Sequence, residues 1–176
     1  MNQEDIIYIK NNLKWRFKLS EIYNHYFVLL FPSFIILISF SMFKGGAKFG
    51  HLNGEFLITA ITILLFGLLF LIFIVNRIQA EKKFKLFELK NLSFEEFEDI
   101  IRKSGWSIVE SKNDNLILIT KTSCFSWGEK ITIIKYKDNN ILVNSRPERQ
   151  PITINRDKIN YYKLQKLINT TANSRL

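Results

Sequence analysis

Two apolar stretches without a charged residue, 26–43 and 56–75, lie twelve residues apart in this chain. The hydrocarbon core of a bilayer is about 30 Å thick, and an α-helix needs about 20 apolar residues to cross it. The second stretch has that length, and the first is at the short end of the spanning range. We therefore predict a membrane hairpin of two helices, 26–43 and 56–75, joined by an external loop over 44–55.

Two other interpretations of these stretches are weaker. A soluble protein could bury both helices, but the rest of a 176-residue chain is too short to cover them. A cleaved signal peptide usually carries an apolar run of about 7–15 residues after a short basic start. Here a mixed segment, 1–25, precedes a longer run, which favours a spanning helix over a signal peptide.

Lysine and arginine flank the two stretches unevenly. Nine lie in the outer flanks and two in the connecting loop: Lys10, Lys14, Arg16, Lys18, Arg77, Lys82, Lys83, Lys85 and Lys90 against Lys44 and Lys48. The positive-inside rule then predicts that both termini lie in the cytosol. Lys82, Lys83 and Lys85 are candidate contacts for anionic lipid, which attracts each such residue by about 1 kcal/mol. The alternative is that they only fix the topology.

The chain after the second stretch is basic, with 19 Lys+Arg and 12 Asp+Glu over 76–176. We predict a juxtamembrane helix or linker over 76–92, a cytosolic α+β domain over 93–170 and a frayed tail over 171–176. Ser93 and Glu96 form a capping-box pattern that starts a helix over 94–104, and Gly105 ends it.

After Gly105 the apolar period changes to two, which predicts four antiparallel strands and a short fifth over 152–154. The sequence Asp138-Asn139-Asn140 marks a tight turn between the third and fourth strands. A closing helix starts after Asn155 and presents Tyr161, Leu164 and Ile168 along one stripe.

The N-terminal segment 1–25 alternates apolar and basic residues around Trp15 and Arg16, which favours a β-hairpin with a turn at 11–12. Because an isolated hairpin is marginal in water, we expect it to join the C-terminal sheet, giving four to six strands with two helices. The membrane hairpin would then be an insertion into one cytosolic fold. The alternative is an amphipathic segment in the lipid headgroups.

Ser126, Trp127, Gly128 and Glu129, followed by the strand-like ITIIKY, form the most motif-like segment. It resembles the SWGE-containing cytosolic segment of small, uncharacterised bacterial membrane proteins with two spans. The resemblance covers roughly the last third of the chain and implies a bacterial cytoplasmic membrane location, with no activity or functional residue to transfer.

Five residues are candidates for binding a partner, and the alternative for the first two is a turn with local packing. They are Trp127, Glu129, Arg146, Arg149 and Arg156.

Four small residues in the apolar stretches are candidates for helix packing, within the hairpin or in an oligomer. They are Ser33, Ser39, Ala60 and Gly67. The interior of the stretches holds no ionisable group, which argues against transport by this chain alone.

No pattern in the sequence predicts a catalytic residue, a cofactor, a metal site or a small-molecule substrate. Cys124 is the single cysteine and reads as a small buried hydrophobe, while His25 and His51 fall on opposite sides of the predicted membrane. We expect a noncatalytic, membrane-anchored accessory, scaffold or regulatory subunit that binds a protein partner or itself. The alternatives are a module that binds anionic lipid or nucleic acid, of which nucleic acid is the weaker, and an enzyme on an unrecognised scaffold.

Overall fold

The computed structural model describes residues 1–16, 26–50, 53–90, 92–122, 128–137, 139–148 and 152–173. It divides into an αβ unit, Met1–Leu19 with Ala80–Leu176, and a hairpin unit, Ser20–Gln79. The elements in chain order are α1 (Gln3–Asn12), a 3₁₀ turn (Phe27–Leu29), α2 (Leu30–Phe49), α3 (Gly54–Glu81), β1 (Lys85–Glu88), α4 (Phe94–Lys103), β2 (Ser107–Lys112), β3 (Asn115–Ile119), β4 (Glu129–Lys135), β5 (Asn140–Pro147) and α5 (Arg156–Asn173).

The five strands form one antiparallel sheet in the order β1-β5-β4-β3-β2. This confirms the prediction of an antiparallel sheet, although three helices rather than two accompany it in the described part of the αβ unit. The neighbouring strands β4 and β5 are mostly buried on both faces, as is expected of strands covered on both sides.

One face of the sheet packs against α4 and α5. Its core contains Phe97 of α4 and Leu164 of α5 against Ile133 and Val143 of the sheet. The opposite face packs against α1 and the segment that follows it. That smaller core is Ile6, Ile9, Trp15, Phe84, Ile134 and Leu142.

Local signals place α4 where the sequence predicts it. Ser93 Oγ accepts a hydrogen bond from the Glu96 amide, and Glu96 Oε2 accepts one from the Ser93 amide, so the predicted capping box is confirmed. Gly105, at φ +82°, follows the helix in the left-handed conformation. The turn before β5 has Asn139 at φ +61°, while Asp138 lies outside the described residues.

The N-terminal strand prediction is wrong, because residues 3–12 form α1. Asn2 caps that helix by accepting from the Asp5 amide, and Ile6 and Ile9 lie on one helical face turned into the core. Beyond Leu13, strand-like pairing is limited to a bridge between Lys14 and Lys83 in the described residues. Residues 17–25 of the predicted hairpin lie outside them.

The juxtamembrane helix over 76–92 is wrong beyond Glu81, where α3 ends. The chain then forms β1, which pairs with β5 at the edge of the sheet, so tertiary pairing overrides the local helical pattern. Residues 152–154 do not form the predicted fifth strand. Of the tail predicted to fray, residues 171–173 are the last residues of α5, and 174–176 lie outside the described residues.

In the hairpin unit, α2 continues six residues past the predicted boundary and ends at Phe49, with Gly50 as a left-handed cap at φ +68°. Most of the predicted loop over 44–55 is therefore helical. Glycines inside a helix cost only about 1 kcal/mol each, which does not suffice to end it.

Candidate functional site

Two segments of the αβ unit, one before and one after the hairpin unit in the sequence, are hydrogen-bonded to each other. The Trp15 amide donates to the Lys82 carbonyl at 3.0 Å, and the Phe84 amide donates to the Leu13 carbonyl at 2.8 Å. These bonds flank the antiparallel bridge between Lys14 and Lys83. We call residues 13–15 and 81–84, together with Asn144 of β5, the junction cluster.

Asn144 fixes both segments to the middle of the sheet. Its Oδ1 accepts from Trp15 Nε1 at 2.8 Å, while its Nδ2 donates to the carbonyls of Glu81 at 2.8 Å and Lys83 at 2.9 Å. The side chain is fully buried. An asparagine amide offers both donors and an acceptor, so it suits this three-way connection, which an aspartate could not make.

Aromatic and cationic groups enclose the Trp15 end of the junction cluster. The rings of Trp15 and Phe84 lie 5.3 Å apart. The guanidinium of Arg146 lies 4.3 Å from the centre of the Trp15 ring, a cation–π geometry. Arg146, predicted to bind a partner, is thus half-buried against the N-terminal segment.

Glu81 links the junction cluster to the chain before α5. Its carboxylate is buried, and Oε1 accepts a hydrogen bond from the Thr153 amide at 3.2 Å. Burial of a carboxylate is costly unless hydrogen bonds compensate it, so this contact favours one arrangement of residues 152–153 beside the end of α3.

A second polar cluster joins β4 and β5 to α5. Ser145 Oγ donates to Glu129 Oε2 at 3.3 Å and accepts from Asn160 Nδ2 at 2.9 Å. The hydroxyl of Tyr161 accepts from the Ser145 amide at 3.1 Å. Glu129 is 1% exposed, so its predicted contact with a partner at the surface is contradicted by its position in the interior.

The remaining predicted site residues do not converge. The Lys85 ammonium lies 4.3 Å from the centre of the Tyr161 ring, on the α5 face of the sheet, whereas Lys83 is exposed beside Lys14. Arg156 begins α5 and is half-buried. Trp127 and Arg149 lie outside the described residues, as do Cys124 and the two histidines.

The small residues of the hairpin unit lie between its own two helices. Ser39 Oγ donates to the Ala60 carbonyl at 2.7 Å, and both residues are fully buried. A Cβ added at Gly67 would come 2.9 Å from Cγ1 of Ile36. Ser33, by contrast, forms a hydrogen bond within its own segment of the chain. Its Oγ donates to the Leu29 carbonyl, one turn earlier in the chain.

The outer surface of the hairpin unit is apolar. In the most apolar 18-residue windows of its two helices, only 11% and 17% of the residues are buried. Among the described residues of this unit, seventeen large hydrophobic side chains are exposed: Phe27, Leu30, Phe31, Phe34, Leu37, Ile38, Phe40, Phe49, Leu57, Ile58, Ile61, Leu65, Phe66, Leu68, Leu69, Ile72 and Phe73. Soluble proteins rarely expose a contiguous apolar surface of this kind.

An ion-pair group connects α1 to the edge strand β2. Glu110 accepts from the Lys112 ammonium at 2.8 Å and from the Met1 amine at 2.7 Å. Hydrogen bonds from Lys112 first, and from the Met1 amine second, lower the pKa of Glu110 from its ordinary value of 4.5 to about 2.

Within the described ranges, no three His, Cys, Asp or Glu side chains are grouped closely enough to hold a metal ion. No protein-family model, curated protein or solved structure matches this chain. The class of this protein is therefore described from its fold alone. It is an α+β unit with an antiparallel sheet, and a hairpin of two apolar helices is inserted into the sequence of that unit.

The sequence pattern did not reveal Asn144 or Trp15 as the residues that organise this region. The available signal was that Asn144 directly follows three apolar residues, 141–143, that are typical of a buried strand. A buried polar residue in such a position indicates a specific hydrogen-bond partner.

Proposed function

We propose that this protein is a two-span integral membrane protein whose αβ unit acts at the cytosolic face as a noncatalytic accessory or scaffold subunit. The observation that carries the proposal is the exposed apolar surface of the hairpin unit, whose helices bury only a small part of their apolar windows. Lipid tails are a suitable environment for such a surface, and water is not.

The helix lengths agree with two crossings. At about 1.5 Å per residue, the 28 residues of α3 extend about 42 Å, which exceeds the hydrocarbon thickness of about 30 Å. The segments before and after the hairpin unit are paired with each other in the junction cluster, so the chain enters and leaves the membrane on the same side. The excess of basic residues on that side favours the cytosol.

Membrane integration is tested on the full chain by extraction with alkaline carbonate. We expect the protein to stay with the membrane pellet and to be released only by detergent. For topology, Asn53→Cys and Lys158→Cys are introduced separately into a Cys124→Ser background and labelled with an impermeant maleimide in sealed vesicles of both orientations. The two cysteines should label from opposite sides, and release by carbonate would reject the proposal.

The accessory role is tested by mild-detergent purification of the tagged full chain from its native membranes. We expect a stoichiometric partner, or a defined homo-oligomer, to remain bound through the αβ unit. The exposed α5 residue Tyr162 and the exposed β2 residue Val109 offer separate surfaces for mapping this contact by substitution to aspartate. Recovery of a monomer alone, at several detergent concentrations, would contradict an accessory role.

A further inference from the structure

Lys14 and Lys83 are directly opposite each other in the junction cluster. The amide–carbonyl bonds on either side of them join Trp15 to Lys82 and Phe84 to Leu13, which makes Lys14 and Lys83 a non-hydrogen-bonded antiparallel pair. In such pairs the Cα atoms are only about 4.5 Å apart, and the two side chains lie on the same face. The side chains of Lys14 and Lys83 therefore leave the backbone at adjacent positions on one face.

The paired segments 13–15 and 82–84 form a short ribbon, and the face of this ribbon opposite the two lysines is buried. The neighbouring residues Trp15 and Phe84 are buried in the core against Leu142, with their rings in contact. Since successive side chains of an extended strand alternate between faces, Lys14 and Lys83 point away from that core, and both are exposed. The lysine pair cannot separate by turning over without exposing Trp15.

Like charges directly opposite in a β-ladder are destabilising. Within the described residues, neither Lys14 nor Lys83 pairs with a carboxylate. Arg16, also exposed, adds a third cation two residues from Lys14. An anion placed between the two ammonium groups would replace a repulsion by two charge-assisted hydrogen bonds.

The position of the pair along the chain indicates the source of that anion. The apolar stretch of α3 ends at Val75, and the helix continues six residues to Glu81, about 9 Å of helical rise, immediately before Lys82 and Lys83. The headgroup layer on each side of the hydrocarbon core is of this order of thickness, since a bilayer measures about 40–45 Å in total. Lys83 thus follows the membrane helix at headgroup depth.

We propose that Lys14 and Lys83 form a binding site for the phosphodiester of an anionic phospholipid in the cytosolic leaflet. The two free oxygens of the phosphodiester each accept from one ammonium group. The site rests on the proposed membrane insertion, and it assigns the lipid contact to a cross-strand pair that includes an N-terminal residue, in place of the cluster with Lys85. Lys85 instead contacts the Tyr161 ring.

The test uses the full chain in a neutral maltoside detergent, with thermal unfolding followed by tryptophan fluorescence. Short-chain phosphatidylglycerol is titrated in, with short-chain phosphatidylcholine in parallel. We expect phosphatidylglycerol to raise Tm in a saturable way and phosphatidylcholine to leave it unchanged. At about 1 kcal/mol per lysine, the double variant Lys14→Gln/Lys83→Gln should need about 30-fold more phosphatidylglycerol for the same shift.

A matched control separates this site from general charge. Lys158→Gln/Lys163→Gln removes two exposed lysines of α5 and the same net charge, and it should respond to phosphatidylglycerol as the wild type does. Lys14→Arg/Lys83→Arg should retain the response. Without lipid, the Lys14→Gln/Lys83→Gln variant should unfold at the same temperature as the wild type or higher, because a repulsion is removed; a purely structural role for the lysines predicts a lower Tm.

Three results would overturn the proposal. The first is the same rise in Tm with phosphatidylglycerol for the glutamine variant and the wild type. The second is a loss of this rise in the α5 control that equals the loss in the glutamine variant. The third is a rise in Tm with inorganic phosphate or a short RNA that matches the rise with phosphatidylglycerol. Carbonate extraction of Lys14→Gln/Lys83→Gln and of the wild type distinguishes failure of the lipid site from failure of the proposed membrane insertion. A variant that remains in the membrane but loses the lipid response supports the site, whereas extraction of the wild-type chain would reject the insertion on which it rests.

Discussion

Phe97 in the αβ unit is fully buried between α4 and the sheet, whereas Phe66 in the hairpin unit leaves 60% of its surface exposed. The contrast holds for the units as wholes, because one has two enclosed cores and the other has an apolar outer surface. Both units are rich in phenylalanine, leucine and isoleucine, so composition alone does not distinguish them. The placement of these residues does, because most of them are buried in the αβ unit and many of them are exposed in the hairpin unit.

The contact residues between elements differ in the same way. The hairpin helices meet through small residues, Ser39, Ala60 and Gly67, which allow close approach of the two backbones. In the αβ unit, large side chains fill the space between layers, and polar residues such as Asn144 connect particular segments. Packing in the first unit depends on shape, and in the second on burial with specific hydrogen bonds.

The largest expected effect comes from truncating the two phenylalanines. Phe97→Ala should lower the free energy of unfolding of the αβ unit by about 3–5 kcal/mol, because it leaves a cavity in a closed core. Phe66→Ala, on the exposed surface of α3, should change it by less than about 0.5 kcal/mol. Urea unfolding of both variants in detergent micelles measures this difference, and equal losses would remove the contrast between the units.

The next effect concerns the junction cluster. Asn144→Ala removes the partner of Trp15 Nε1 and of two buried carbonyls, so we expect a loss of about 2–4 kcal/mol in the stability of the αβ unit. Thr170→Ala, which removes an exposed hydroxyl bonded within α5, is the matched polar control. Amide hydrogen exchange should show faster exchange at Trp15 and Phe84 only in the Asn144 variant. Unchanged exchange at both positions would show that other contacts hold the ribbon.

A glycine pair sharpens the comparison inside the hairpin unit. Gly67→Ala places a methyl group against Ile36 and should destabilise the α2–α3 contact by about 1–3 kcal/mol. Gly45→Ala in α2 meets no atom within 4 Å and should stabilise its helix by about 0.5–1 kcal/mol. Circular dichroism during a dodecyl sulfate titration measures both changes, and effects of the same sign would argue against a close contact at Gly67.

The smallest effect is a pH dependence of the αβ unit. The lowered pKa of Glu110 means that its ionised form stabilises the folded state fully above pH 4.5, and that this contribution is lost as the pH falls towards 2. Glu110→Gln should therefore lower Tm at pH 6 and flatten its dependence between pH 5 and pH 2. Glu88→Gln, on the exposed edge strand, is the control. A parallel pH profile for the wild type and Glu110→Gln would contradict the ion-pair assignment.

Elements defined by neighbouring residues could be predicted from the sequence. The capping box of Ser93 and Glu96, the left-handed Gly105 and the alternation of β4 each depend on a few adjacent positions. The two long apolar helices follow in the same way from local composition. Their recognition needed no knowledge of the rest of the chain.

The failures involve distant partners. Residues 3–12 contain an apolar pattern that fits a strand or a helix, and the N-cap at Asn2 with burial of Ile6 and Ile9 favours the helix. Segment 85–88 forms a strand only because β5 offers an edge. Asn144 contacts residues 61 and 129 positions away, and no local pattern predicts such pairs. The SWGE segment stays a prediction except for Gly128 and Glu129, because its other residues lie outside the described part of the chain.

The hydrogen bond between Trp15 and Asn144 also sets an order of assembly. These residues are 129 positions apart, so during synthesis the N-terminal segment emerges long before β5 exists. By the time β5 leaves the ribosome, the whole of Ser20–Gln79 has already been made. Ile6 and Ile9 of α1 therefore lack their partners in the sheet until both helices of the hairpin have been synthesised. Docking of α1 onto the sheet can therefore follow only after the hairpin has been synthesised, and a nascent chain stalled before residue 144 would lack the hydrogen-bond partner of Trp15 Nε1.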